Sequence, residues 1–166
     1  MTAAWIGGLA AFCFALFIGS LVEYGMHRLM HAGVVYGANH VKHHREGTGQ
    51  GWFGEFLGYF LPSLFFIWLG FLVSSSAGIG FALGGFLHAA WSAYAHQLQH
   101  ERPELVFWMA RPVHHLHHQG RMWHHNFGIS SDIWDRVFGT YRPMEWKDPG
   151  AVRFAAYAGL FTIKWF

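Results

Sequence analysis

Along the chain, long apolar runs alternate with polar segments rich in histidine. Ala3 to Val22 is a run of twenty positions without a charge. As an α-helix it is about 30 Å long, which matches the hydrocarbon thickness of a bilayer. Two further apolar runs, Phe56 to Val73 and Ile79 to Ala95, are separated only by Ser74-Ser75-Ser76-Ala77-Gly78, a link with room for nothing but a hairpin turn. The pattern predicts three spanning helices, over 3–22, 56–73 and 79–95. Pro62 should kink the second, and the Gly80, Gly84 and Gly85 cluster should let the third approach a neighbour closely. Ala151 to Phe166 is aromatic but interrupted by Arg153 and Lys164, so it reads as an interfacial helix. The first run does not look like a signal peptide, because no basic residue precedes it and no small-residue cleavage site follows. The expected fold is all-α: one domain over 1–166, an integral-membrane helical bundle with a cytoplasmic, histidine-rich helical cap. No internal repeat in overall sequence, Pro-rich linker or low-complexity tail interrupts it.

Composition supports a membrane protein, with 53% hydrophobic and 19% aromatic residues, more than a soluble domain usually carries. The eleven Lys and Arg residues all fall in segments that three spans leave on one face. Basic residues resist translocation, so the His-bearing segments 24–55 and 96–150 are expected on the cytoplasmic side. A net charge of +2 gives nucleic acid little electrostatic support as a partner. The single cysteine, Cys13, excludes a disulfide framework and a Cys-based metal site. Gly49-Gln-Gly51-Trp-Phe-Gly54 matches a dinucleotide-binding pattern in letters only, since no strand precedes it, and it reads as a loop.

Histidine changes the picture: 14 of 166 residues. Four boxes occur in order, His27-Arg-Leu-Met-His31, His40-Val-Lys-His43-His44, His96-Gln-Leu-Gln-His100 and His114-His115-Leu-His117-His118. Residues three or four apart on a helix share a face, with Cβ atoms about 5–6 Å apart, so HxxxH is a bidentate clip and HxxHH adds a third ligand on nearly the same face. Imidazole donors suit Zn, Cu, Fe and Ni alike. Ten candidates supply about five per ion for two ions, more than the four of a closed structural zinc site, and a pair of redox-active ions fits better. His124 and His125 are candidate outer ligands, while Glu23 and Asp135 are candidate acceptors for the outer N–H of a ligand imidazole. Helix capping or pairing with Arg28 or Arg136 explains these two carboxylates almost as well. His88, inside the third apolar run, reads as an interhelical hydrogen-bonding group.

From about Glu23 to Tyr141 the chain resembles the fatty acid hydroxylase superfamily, which includes fatty acid and sterol hydroxylases and sterol desaturases. The resemblance rests on the four boxes, on Glu23-Tyr24 ahead of His27-Arg28, and on His125-Asn126-Phe127-Gly128 followed by Trp134-Asp135-Arg136-Val137-Phe138-Gly139-Thr140-Tyr141. It implies a non-haem di-iron monooxygenase that uses O₂ and takes electrons from a ferredoxin- or cytochrome b5-type carrier. The substrate implied is a lipid, fatty acyl or sterol-like. It places His27, His31, His40, His43, His44, His96, His100, His114, His117 and His118 at the ligand positions, with His115 replacing His114 if the register slips by one. The chain starts one helix before its first box, so it looks minimal and is expected to complete its bundle by forming homo-oligomers. That compactness also resembles the short carotenoid hydroxylases, which share the box order without the tail motif. A carotenoid β-ring hydroxylase and a lipid desaturase therefore remain alternatives of the same chemistry. A membrane metal-binding or transport protein is the alternative of a different class.

Overall fold

The computed structural model describes residues 2–146 and 154–166. Among these, every regular element is helical: α1 (Thr2–His31), α2 (Gly37–Glu46), α3 (Trp52–Ser63), a 3-10 segment Ile67–Leu72, α4 (Ser75–Glu101), α5 (Val113–Gln119), α6 (Ile133–Val137), and short 3-10 turns at Pro103–Leu105 and Phe154–Phe161. Of the expected interfacial helix over 151–166, Ala151 to Arg153 lie outside the described residues. The remainder is the 3-10 turn and an irregular end.

Among the described residues one helix, Ala3–His31, is long and apolar enough to cross a membrane, and only 6% of its most apolar window is buried. The core helix of a soluble protein would be mostly covered. Phe14 and Phe17 on α1, and Leu83 and Phe86 on α4, are likewise exposed.

The expected second span is not one kinked helix. Pro62 falls in the last turn of α3, which ends at Ser63, and the chain resumes as the 3-10 segment Ile67–Leu72. Proline removes a donor from the ladder and crowds the preceding turn, so the helix stops there. At 1.5 Å per residue α3 is about 18 Å long, and at 2.0 Å per residue the 3-10 segment adds about 12 Å. Together they run antiparallel beside α4. Glu55 lies 3.0 Å from His96, Phe56 and Phe60 pack on Phe86, and Gly70 reaches Ala77 and Gly78.

α1 and α4 run parallel in close contact, with Gly8 beside Gly80, Phe12 beside Gly84, Gly19 beside His88, and Glu23 bonded to Ser92. This brings the HxxxH boxes at the C-terminal ends of both helices to the same end of the molecule. A Cβ at Gly80 would collide with the Gly8 carbonyl, whereas one at Gly85 would meet nothing within 4 Å. Gly85 therefore takes no part in the close approach expected of the glycine cluster. Gly80→Leu is expected to cost about 1–3 kcal/mol through overpacking, measured as a lower thermal midpoint in detergent, while Gly85→Leu should leave the midpoint nearly unchanged.

Candidate metal centre

Four helices deliver the boxes to one place: α1 and α4 by their last turns, α2 and α5 by their whole length. α2 is flanked by two residues in the left-handed region, Tyr36 before it and Gly47, with φ 67, after it. α5 follows Pro112, and Gln99 accepts the His114 N–H at 2.9 Å.

The histidines form two groups, each with its ligand atoms within 4.8 Å of one another: His27, His31, His40, His44 and His117 in the first, and His43, His100, His114 and His118 in the second. In the first group His31 Nε2 lies 3.2 Å from His27 Nε2, 2.9 Å from His40 Nε2, 3.1 Å from His44 Nε2 and 2.9 Å from His117 Nε2. One imidazole N–H can donate only once, so hydrogen bonds cannot account for a five-way convergence. Two donors at right angles on an ion with bonds of about 2.1 Å lie about 3.0 Å apart, against about 3.4 Å in a tetrahedron. The spacing therefore fits one ion with more than four ligands. In the second group His114 Nε2 and His100 Nε2 are 3.3 Å apart, while the buried His43 Nε2 and both ring nitrogens of His118 have no hydrogen-bond partner. Unpartnered buried nitrogens facing one another are what a cation would satisfy. The donor sets fit metal ions.

Each HxxHH box is shared between the groups. α2 gives His40 and His44 to the first and His43 to the second; α5 gives His114 and His118 to the second and His117 to the first. His96 stands outside the four mutually close donors, although its ring packs 4.5 Å from His114, 4.7 Å from His100 and 5.0 Å from His43. His115 turns away from both groups and donates to the Gln99 carbonyl at 3.2 Å.

Outer contacts fix the rings. His27 Nδ1 donates to the Phe127 carbonyl and His117 Nδ1 to the His125 carbonyl, each at 2.6 Å. Both bonds leave an Nε2 lone pair facing inward. His125 thus acts through its backbone, and its side chain, with that of His124, lines an open cavity of about 660 Å³ between residues 120–125 and 142–145. Trp123, also in that lining, sets its indole against His31 at 4.4 Å between ring centres.

Glu23 and Asp135 act one step further out than expected. Asp135, fully buried, accepts from the Phe127 and Gly128 N–H groups and from Thr140 Oγ1, and Tyr24 OH in turn contacts Thr140 Oγ1 at 2.8 Å. Glu23 accepts from Ile129 N–H, Ser130 N–H and Ser92 Oγ. Both carboxylates hold the 127–130 loop, whose Phe127 carbonyl orients His27. Among the described residues neither accepts from a histidine of either group. Burial pushes the Asp135 carboxyl above its usual range, partly offset by bonds from Thr140, Gly128 and Phe127.

Burial, reinforced by neighbouring imidazoles, holds the histidines neutral. It lowers His40 from 6.5 to about 3, and His43, His44 and His117 to about 4. His100 falls to about 2, and His114 and His118 are also driven down. Neutral imidazole is the metal-binding form.

The family model for fatty acid hydroxylases matches residues 12–140, a stretch that contains every histidine of both groups together with Asp135 and Thr140. The chain belongs to the fatty acid hydroxylase family. Membership implies an oxidoreductase of the hydroxylase type and a membrane-associated protein, and the two histidine groups are compatible with metal binding. No curated protein and no solved structure matches the chain.

Several contacts around the centre were not legible beforehand. Glu55 sits at the edge of an apolar run and resembles a boundary residue, yet it is buried against His96. Gln99 was hinted at by its place inside a histidine box, and it ties α4 to both α5 and the 127–130 loop. The carbonyls of Phe127, His125 and Gly47 leave no mark in side-chain chemistry.

Proposed function

We propose that the protein is an O₂-dependent, non-haem di-iron monooxygenase that hydroxylates a C–H bond of a lipid-like substrate, fatty acyl or sterol-like. It works in the membrane with its histidines at the cytoplasmic face. The observation that carries this reading is the convergence of two groups of imidazole nitrogens, the first at spacings suited to more than four ligands, beside the end of the apolar helix α1. Iron bound there supplies oxygen activation and oxidation of the C–H bond, with electrons from a separate ferredoxin- or cytochrome b5-type carrier.

The chain's own residues do the rest. His27 and His117 are locked in one tautomer by the Phe127 and His125 carbonyls. Phe127, buried against His27, His31 and His117, keeps water from one side of the first group. Trp123 stands between that group and the open cavity. Because both HxxxH boxes lie where α1 and α4 end, an acyl or isoprenoid chain reaches them without leaving the bilayer. Metal transport is less well supported, since a transporter places its ligands along a path at mid-span and these stand at helix ends. The test is comparative lipid and pigment profiling of a host with and without the gene. An oxygenated product should appear with the wild type under air, and disappear without O₂ or with His43→Ala combined with His117→Ala. A product that survives both changes would refute the assignment.

A further inference from the structure

The two groups are assembled alike. Each takes an i, i+4 pair from one HxxHH box and the remaining histidine from the other, and the first adds both members of an HxxxH box, His27 and His31. The second draws on the other HxxxH box, from which His100 belongs to the group while His96 stands at its edge. His96 is therefore the counterpart of His27. The outer nitrogen of His27 donates to a carbonyl, whereas His96 Nδ1 makes no aligned hydrogen bond but stands 3.0 Å from Glu55 Oε2, an ion-pair contact between two buried side chains. Glu55 lies in the first turn of α3 and is buried. Its other oxygen accepts the Gln50 N–H at 3.0 Å, so the carboxylate is held from both sides. Among the described residues no lysine or arginine pairs with it. A buried carboxylate without a Lys or Arg partner is costly and calls for a compensating contact, and His96, 3.0 Å away, supplies it.

We propose that Glu55 is a positioning residue that holds His96 as the fifth donor of the second group and makes the metal bound there electronically distinct from the first. A negative charge 3.0 Å from the outer nitrogen favours the proton there more strongly than a neutral carbonyl does, fixes the tautomer and raises the basicity of the inner nitrogen. The outer nitrogens of His27, His117 and His100 end on the neutral carbonyls of Phe127, His125 and Gly47. The second metal therefore sees one imidazole that donates more strongly than any of these three. The inference rests on the reading that the groups hold iron.

The experiment is ferrous iron titration and Mössbauer spectroscopy of the purified full chain in detergent. The wild type is expected to hold two irons with distinguishable signals of equal area. Glu55→Gln should shift only one signal and weaken one of the two irons about 10–100-fold, and Glu55→Asp should recover most of that loss. The double variant Glu55→Gln/His96→Ala should be no worse than His96→Ala alone, since the pair acts as a unit. If Glu55→Gln leaves both signals and both affinities unchanged, or weakens both irons equally, the inference is overturned while the di-iron reading stands. If Glu55→Gln does not fold, His96→Ala decides, and two irons held as in the wild type would overturn the inference. A wild type that binds no iron overturns both.

Discussion

His31→Ala is expected to remove one of the two irons and with it all detectable oxygenation. His31 Nε2 is the hub of the first group, within 3.2 Å of four other Nε2 atoms, so its loss opens the middle of the donor set rather than one corner. Outer partners that merely orient a ligand are worth about 10–100-fold in metal affinity, and deleting an inner ligand should cost at least about 100-fold. The four remaining nitrogens would face one another across a gap. Replacing a buried, otherwise unsatisfied group with alanine need not unfold the metal-free chain. The expected signature is therefore a normal thermal midpoint without iron, a lower one than wild type with iron, and about half the wild-type iron content. Full iron content and retained turnover in this variant would exclude the first group as a metal site.

Acid is expected to strip the centre and destabilise the fold over one window. The folded pKa values of His40, His43, His44 and His117, at about 3 to 4, lie below their ordinary value of 6.5. The unfolded chain is then the better proton acceptor. Stability is unaffected well above pH 6.5 and falls as pH drops through 6.5; the loss from these four levels off only near pH 3–4, where they protonate in the folded chain, while that from His100, His114 and His118 continues to lower pH. Iron competes with the same protons, so its release should follow the same direction. Iron content and thermal midpoint measured after dialysis at stepped pH should decline together below about pH 6.5. A centre that keeps its iron at pH 4 would speak against imidazole ligation.

The sequence was most legible where periodicity acts locally. The i, i+4 spacing of His27/His31, His40/His44 and His114/His118 marks pairs that the fold delivers to single groups. The division of each HxxHH box was not legible. Along a helix His43 sits about 60° from His40 on one side while His44 sits about 40° away on the other, and only the placement of α1, α4 and α5 decides which group each face meets. The second apolar run, read as a span kinked at Pro62, does lie beside α4, but as a helix that ends at Ser63 and a separate 3-10 segment, because whether a proline bends a helix or ends it depends on the tertiary contacts around it. The sequence places Glu23 and Asp135 near the boxes and suggests that they accept the outer N–H of ligand imidazoles. Their partners are backbone N–H groups of residues 127–130, and a loop's path is set by tertiary contacts that no local pattern encodes.

If each of the two imidazole clusters holds an iron, the surroundings of the metal report it. X-ray absorption spectroscopy at the iron edge, with elemental analysis of the same purified sample, tests it most directly. Two irons per chain in a nitrogen-rich shell of about five donors at about 2.1 Å are expected. Iron absent or below one per chain after anaerobic reconstitution, or a shell dominated by sulfur or by carboxylate oxygen, would contradict it.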